Sequence, residues 1–179
     1  MEQALTDYIT QRNAETQEWV DAAEGRMAAM IPTDPAFFES NGWTTLVQYK
    51  RAMLEEDAYY MCAEAYSKSY ARAMSFQFKT NAELESLCDS YGDVIEANIK
   101  EEAEWAQKCV DTFQAILTDA INTGARDEAT ALRWLTEEED FYSIQCVESF
   151  VYGYGILFTK YGKELVKKLE SIVKYVEVA

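Results

Sequence analysis

The chain has no histidine among its 179 residues. That absence removes the Ser-His-Asp and Cys-His nucleophile arrangements and every metal site built on imidazole. Proline occurs twice and glycine seven times, too seldom for a loop-rich chain, and there is no glycine-rich phosphate loop. No uninterrupted apolar run opens the chain, because Glu2, Asp7 and Arg12 break the first twelve positions; neither a signal peptide nor a membrane span is expected. The four cysteines, Cys62, Cys88, Cys109 and Cys146, show no Cys-x-x-Cys spacing. Buried free thiols are therefore expected rather than zinc ligands or bridges, and with them a reducing, cytoplasmic setting. Positive charge is scarce, with 16 Lys and Arg against 32 Asp and Glu, a net −16. Such a surface repels phosphate backbones, since nucleic-acid affinity depends on Lys and Arg releasing counterions, so direct nucleic-acid binding is disfavoured.

What is present is an apolar, helix-forming chain. Hydrophobic residues make up 49% of it, enough to fold against the self-repulsion of so many carboxylates. Its length suits one domain, residues 1–179. The acidity is uneven: residues 160–179 hold five lysines and three glutamates, a local +2, which leaves −18 over residues 1–159. An acidic body of this kind attracts a basic partner or serves solubility.

Apolar spacing predicts five helices. The first runs from a cap at Thr6 to about Met30 and is stopped by Pro32, with Asp34 and Pro35 opening a short turn through Phe37 and Phe38. The second runs from a cap at Thr44 or Thr45 to about Phe78. A connector over 79–92, capped by Asn81, joins it to a third helix over about 93–123 with Ile95, Ile99, Ala103 and Val110 inward. The fourth starts at a cap on Asp127; a capping box of Thr136 with Glu139 is its possible point of division. A fifth, basic helix covers about 163–177.

Self-similarity is the strongest pattern in the sequence. Glu56, Asp57 and Tyr59 recur as Glu139, Asp140 and Tyr142, and after a one-residue slip Cys62, Glu64 and Tyr70 recur as Cys146, Glu148 and Tyr154. Trp19 is echoed by Trp105. Repeat one then covers about 5–78 and repeat two about 93–160. The expected architecture is an all-α antiparallel four-helix bundle with internal two-fold duplication, a crossover connection and a short fifth helix.

That helix order and duplication resemble the ferritin-like superfamily over nearly the whole chain. The resemblance implies one glutamate from each of helices one and three and Glu-x-x-His on helices two and four, together holding two metal ions. Here Glu56-x-x-Tyr59 and Glu139-x-x-Tyr142 occupy the matching places, with tyrosine where the ligand histidine stands in the family. Glu102 lies beside the inner stripe of helix three. The resemblance thus implies Glu56, Glu102 and Glu139 as ligands for iron or manganese, with Tyr59 and Tyr142 nearby.

Two readings of Glu56 and Glu139 follow. Either they are structural carboxylates near the bundle centre, bonded to tyrosine hydroxyls or paired with Arg51 and Arg133, or they are metal ligands. The first is preferred. The tyrosines at 59, 60, 66, 70, 142, 152 and 154 are read as core and interface residues, and Cys62 and Cys146 as small core residues. The function expected is that of a non-catalytic acidic helical protein, without a cofactor, that binds a basic protein partner or associates with itself, as an inhibitor, an immunity-type protein or an assembly component. The alternative is a ferritin-like, carboxylate-rich metalloprotein that stores or oxidises iron or manganese.

Overall fold

A computed structural model describes residues 1–176. Eight α-helices and one 3-10 helix are formed among them: α1 (Gln3–Asp21), α2 (Pro35–Ser40), α3 (Leu46–Ala65), α4 (Lys68–Ala73), the 3-10 helix (Phe76–Phe78), α5 (Asn81–Thr123), α6 (Glu128–Leu135), α7 (Ile144–Gly153) and α8 (Lys160–Glu170). The all-α class expected from the sequence is observed. The one β-type contact among the described residues is an isolated parallel bridge between Phe141 and Tyr175. The chain divides into two compact units, Met1–Glu96 and Ala97–Ala179, and the division falls within α5.

In the first unit, α1 ends at Asp21, not near Met30. Arg26 turns back there, its guanidinium 4.7 Å from the Trp19 ring centroid and Nη1 donating to the Trp19 carbonyl at 3.0 Å, which satisfies an acceptor the helix end leaves free. The next residues are tied down by Asn13, whose side chain both donates to and accepts from the Ile31 backbone at 2.8 Å. At α3 the sequence signal holds. Thr45 Oγ1 accepts the Gln48 amide at 3.2 Å and Gln48 Oε1 accepts the Thr45 amide at 3.1 Å, a reciprocal capping box.

The long second helix expected to reach Phe78 is broken. Ser67 adopts an extended backbone and its hydroxyl oxygen accepts the Tyr70 amide at 3.1 Å, so a side chain that competes with helical hydrogen bonding starts α4 instead of continuing α3. Conversely, the connector over 79–92 is no connector. Thr80 Oγ1 accepts the Glu83 amide at 3.3 Å and Glu83 Oε2 accepts the Thr80 amide at 2.7 Å. The cap is therefore Thr80, not Asn81, and α5 runs unbroken for 43 residues. Its stretch over 96–105 is exposed all round, so Ile99 and Ala103 are not core residues.

Buried side chains of the first unit fall into two clusters. Leu5, Ile9, Phe38 and Tyr49 form one, edged by Tyr8 and Trp43. Ala58, Cys62, Ala65, Ala71, Phe76, Leu84 and Tyr91 form the other, joining α3 to the first turns of α5.

The second unit has one larger cluster, which includes Val110, Phe113, Leu117, Leu132, Val147, Val151, Ile156, Leu165 and Leu169. Asp127 caps α6 as expected, accepting the Thr130 amide at 2.8 Å. The helix does stop at Leu135, but not through a Thr136–Glu139 capping box: the Thr136 hydroxyl donates back to the Leu132 carbonyl at 2.9 Å, and the Glu139 amide donates to the Thr136 carbonyl at 3.2 Å. Beyond Gly153 the chain turns at Gly155, whose φ of +74° disfavours any side chain. A Cβ there would also lie 2.8 Å from Trp105 Cη2. The last helix begins at Lys160, earlier than expected, and ends at Glu170; the expected end at 177 lies outside the described residues. Gly162 is buried inside its first turn, where a Cβ would collide with the Ile156 carbonyl oxygen.

In place of four long helices of similar length, the chain forms the 43-residue α5 and a series of shorter helices. The two copies of the repeated motif also differ in local structure. Glu56 and Tyr59 lie within α3, whereas Glu139 and Tyr142 lie in the non-helical stretch between α6 and α7.

Candidate functional site

Glu56, Glu102 and Glu139 are all exposed, which corrects the expectation that Glu56 and Glu139 sit near a bundle centre. Neither of these two side chains makes a hydrogen bond or ion pair among the described residues. The arginine expected to pair with Glu56 pairs instead with its neighbour: Arg51 Nε donates to Glu55 Oε1 at 2.6 Å. The same guanidinium donates to Asn81 Oδ1 at 2.7 Å and to the carbonyls of Lys79 at 2.6 Å and Phe76 at 3.3 Å. It locks α3 to the start of α5. Tyr59 is half-buried with its ring edge against Tyr60, and Tyr142 is exposed. Among the described residues no group of three or more His, Cys, Asp and Glu side chains is arranged to hold a metal ion. Glu56, Glu102 and Glu139 are not gathered into such a group.

The tyrosines expected as core and interface residues are largely at the surface. Tyr60, Tyr66, Tyr70, Tyr142 and Tyr152 are exposed, while Tyr154 packs against Phe113 and Phe150. Cys62 is fully buried as expected. Its phenolic neighbour Tyr91 has its pKa raised, first by burial and then by a hydrogen bond with Cys62. Cys146 is instead half-buried in the first turn of α7, 3.8 Å from Ser143 Oγ. Its thiol pKa is lowered, first by a hydrogen bond with the Tyr142 backbone and then by hydrogen bonds with the Ser143 side chain and backbone.

What the structure does bring together is a hollow of about 320 Å³ in the first unit, between α3 and the start of α5. Positions 54, 57, 61 and 64 of α3 recur at helical spacing and so share one face, and positions 85, 88 and 89 of α5 meet them. Three anchors hold these faces in register: the Arg51 clamp, the buried Ala58, Cys62, Leu84 and Tyr91 side chains, and the Met61 methyl, which lies 3.7 Å from the place of a Cβ on Gly92. Leu54, Met61 and the half-buried Cys88 supply an apolar lining, Tyr60 an aromatic wall, and Asp57, Glu64, Glu85 and Asp89 four exposed carboxylates. None of the four makes an ion pair among the described residues. Their field is felt by Cys88, whose thiol pKa is raised first by burial and then by Asp57, Asp89 and Glu85.

Chemically, this arrangement offers negative charge at the rim and apolar surface below it. A cationic side chain on a long aliphatic stem fits both, because Lys and Arg bury their methylenes on apolar surface and keep the charged head among oxygen ligands. Tyr60 adds a ring face for cation–π contact. Asp57, Glu64, Tyr60 and Cys88 were all visible in the sequence, but as members of a repeat or a stripe. Glu85 and Asp89 were missed, and the signal for them was present: two carboxylates four residues apart on an amphipathic segment repel each other unless something cationic approaches.

The chain was compared with protein-family models, with curated proteins and with solved structures, and it matches none of them. Among the described residues no helix is long and apolar enough to cross a membrane.

Proposed function

We propose that the protein is a non-catalytic, acidic helical binding protein whose partner is a basic protein surface, engaged through the α3–α5 hollow. The role fits an inhibitor, an immunity-type protein or an assembly component in a cytoplasmic setting. The observation that carries the reading is the hollow itself, where four carboxylates without ion-pair partners among the described residues surround an apolar lining. A cluster that only kept the chain soluble would not need Leu54, Met61 and Tyr60 beneath it, because solubility asks for charge and no concave apolar surface. The rest of the unit agrees in sign. Residues 1–96 hold 17 Asp and Glu against 7 Lys and Arg, so long-range steering favours a cation before contact is made.

Titration with a lysine- and arginine-rich helical peptide, followed by Tyr and Trp fluorescence at rising salt, tests this. Binding is expected to weaken with ionic strength, as the reach of the steering charges falls to roughly 8 Å near physiological salt. Neutralising the rim with Asp57→Asn, Glu85→Gln and Asp89→Asn is expected to abolish the salt-sensitive part. Unchanged binding in that triple variant would defeat the assignment. Elemental analysis of the same sample addresses the ferritin-like alternative: stoichiometric iron or manganese that is lost on Glu56→Gln, Glu102→Gln or Glu139→Gln would favour the metalloprotein instead.

A further inference from the structure

We infer that the α3–α5 hollow is also the site of a linear aliphatic polyamine, a small ligand that competes there with the basic protein partner. The inference rests on the cation-binding role proposed for the hollow and adds a means of regulating it.

The shape of the site points to a narrow chain. Arg51 reaches Asn81 and the Met61 methyl lies beside Gly92, so α3 and α5 run alongside each other and the hollow between them is elongated. Its volume of about 320 Å³ equals the share of roughly ten water molecules in the liquid. A helix is about 10 Å across and does not enter such a space. A flexible chain with a heavy-atom count of the same order does, and spermidine, in which three amines are joined through seven methylenes, is such a chain.

The charges on both rims fit the same molecule. Asp57 and Glu64 are seven residues apart on α3, about 10 Å along the helix, and Glu85 and Asp89 are four apart on α5, about 6 Å. An extended chain gains about 1.2 Å per bond, which puts the nitrogens of a four-methylene arm about 6 Å apart and the two end amines of the triamine about 11 Å apart. One arm thus matches the α5 rim and the whole length matches the α3 rim. Like charges four residues apart repel on a helix, and a bridging pair of amines relieves that repulsion between Glu85 and Asp89. The methylenes lie on Leu54 and Met61, and Tyr60 offers its ring face to an ammonium. A hydrated divalent cation would meet the carboxylates and leave this lining unused, while one lysine or arginine side chain would cover the lining and bring a single charge. The triamine does both. The net charge of −16 favours the approach of such a ligand.

Methyl and aromatic NMR on the full chain tests the inference, with spermidine and magnesium chloride as probes at about 0.1 M salt, where the reach of bulk charge is about 10 Å. Spermidine is expected to shift the Leu54 and Met61 methyls and the Tyr60 ring saturably, and to bind about tenfold more tightly than magnesium because its methylenes are buried as well. Two variants separate the hollow from the general acidity of the chain. One carries Asp57→Asn, Glu85→Gln and Asp89→Asn; the other, matched in charge, carries Glu137→Gln, Glu138→Gln and Glu139→Gln, which lie outside the hollow. All six positions are exposed, and circular dichroism checks that both variants fold. The first is expected to bind spermidine about tenfold more weakly, the sum expected of a few exposed ion pairs, and the second less than about twofold more weakly. The apparent Kd of the lysine- and arginine-rich peptide should rise in proportion to the spermidine present. Hollow resonances that do not move, equal affinity for magnesium and spermidine, equal losses in the two variants, or a peptide Kd indifferent to spermidine each overturn the inference. If the peptide binds and spermidine does not, the small-ligand site falls and the protein-binding role stands. If spermidine binds the hollow and the peptide does not, the protein partner falls and the small-ligand site stands; if neither binds, both fall.

Discussion

The two units differ less in charge than in what holds them together. The first carries 17 acidic and 7 basic residues and the second 15 and 9, so net charges of −10 and −6 make up the −16 of the chain. The second buries a single continuous cluster built largely of aliphatic side chains around Phe113. The first splits its interior into two small clusters and relies on polar ties between distant segments: Asn13 to Ile31, Glu2 to the Leu46 amide at 2.9 Å, and Arg51 to four acceptors. Apolar burial is non-directional and tolerates rearrangement, whereas a fork of hydrogen bonds fixes one geometry. The unit with the carboxylate hollow is the one whose helices are fixed by directional bonds, as a surface that must present charges at set spacing requires.

The largest expected effect lies in the aliphatic core. Phe113→Ala leaves a cavity where Tyr154 and Tyr161 pack against the ring and should cost about 4 kcal/mol in urea unfolding. Amide exchange should then accelerate in α7 and α8 more than in α3. Equal acceleration in both units would break the comparison, because it would mean that the two interiors stand or fall together.

A smaller loss is expected from Arg51→Met, which keeps the aliphatic stem but leaves the Phe76 and Lys79 carbonyls and the Glu55 carboxylate without their donor. Hydrogen bonds to a charged group are worth about 1.5–3 kcal/mol, and the loss should appear as faster exchange in α3 and the first turns of α5. Arg133, the other arginine expected to pair with the repeated glutamates, is exposed and makes no ion pair among the described residues, so Arg133→Met should change stability by no more than about 0.5 kcal/mol. Similar costs for the two would show that the clamp contributes nothing particular to the first unit.

The third test leaves stability untouched and compares the electrostatics of the two units through their thiols. Thiolate is the reactive form. Burial and then the charges of Asp57, Asp89 and Glu85 push the Cys88 thiol up, whereas hydrogen bonds at the start of α7 bring the Cys146 thiol down. Residue-resolved alkylation across a pH series should therefore show Cys146 reacting at lower pH than Cys88. In the triple variant that neutralises Asp57, Glu85 and Asp89, the Cys88 profile should move toward lower pH while the Cys146 profile stays in place. A Cys88 profile indifferent to those substitutions would remove the negative field from the account of the hollow.

Part of the site was legible from periodicity. Asp57 and Glu64 fall seven residues apart, about two turns, and such spacing places both on one face of any helix that contains them. A cap at Thr44 or Thr45 and the cap at Asp127 were legible too, because a cap is a contact between residues two or three apart and depends on little else; the choice of Thr45 and its reciprocal bond with Gln48 came from the structure. The long-range pairings were not. The second helix looked continuous to Phe78 because the apolar stripe runs on past Ser67; a serine favours a helix start over a helix interior, and here its hydroxyl accepts the Tyr70 amide and begins α4. The segment 79–92 looked like a connector with a short amphipathic piece; in the structure α5 runs straight through Gly92, where even a Cβ would make only an ordinary contact of 3.7 Å with the Met61 methyl.

By itself the sequence determined that the protein is helical and acidic, that it has no imidazole chemistry, and that its positive charge gathers near one end, since composition and local spacing decide those properties. Only the tertiary structure decided that Glu56 and Glu139 are surface residues and that Asp57, Glu64, Glu85 and Asp89 share a hollow. The face a helix buries depends on what packs against it, and α3 is packed by α5, a helix whose extent the local signals did not reveal.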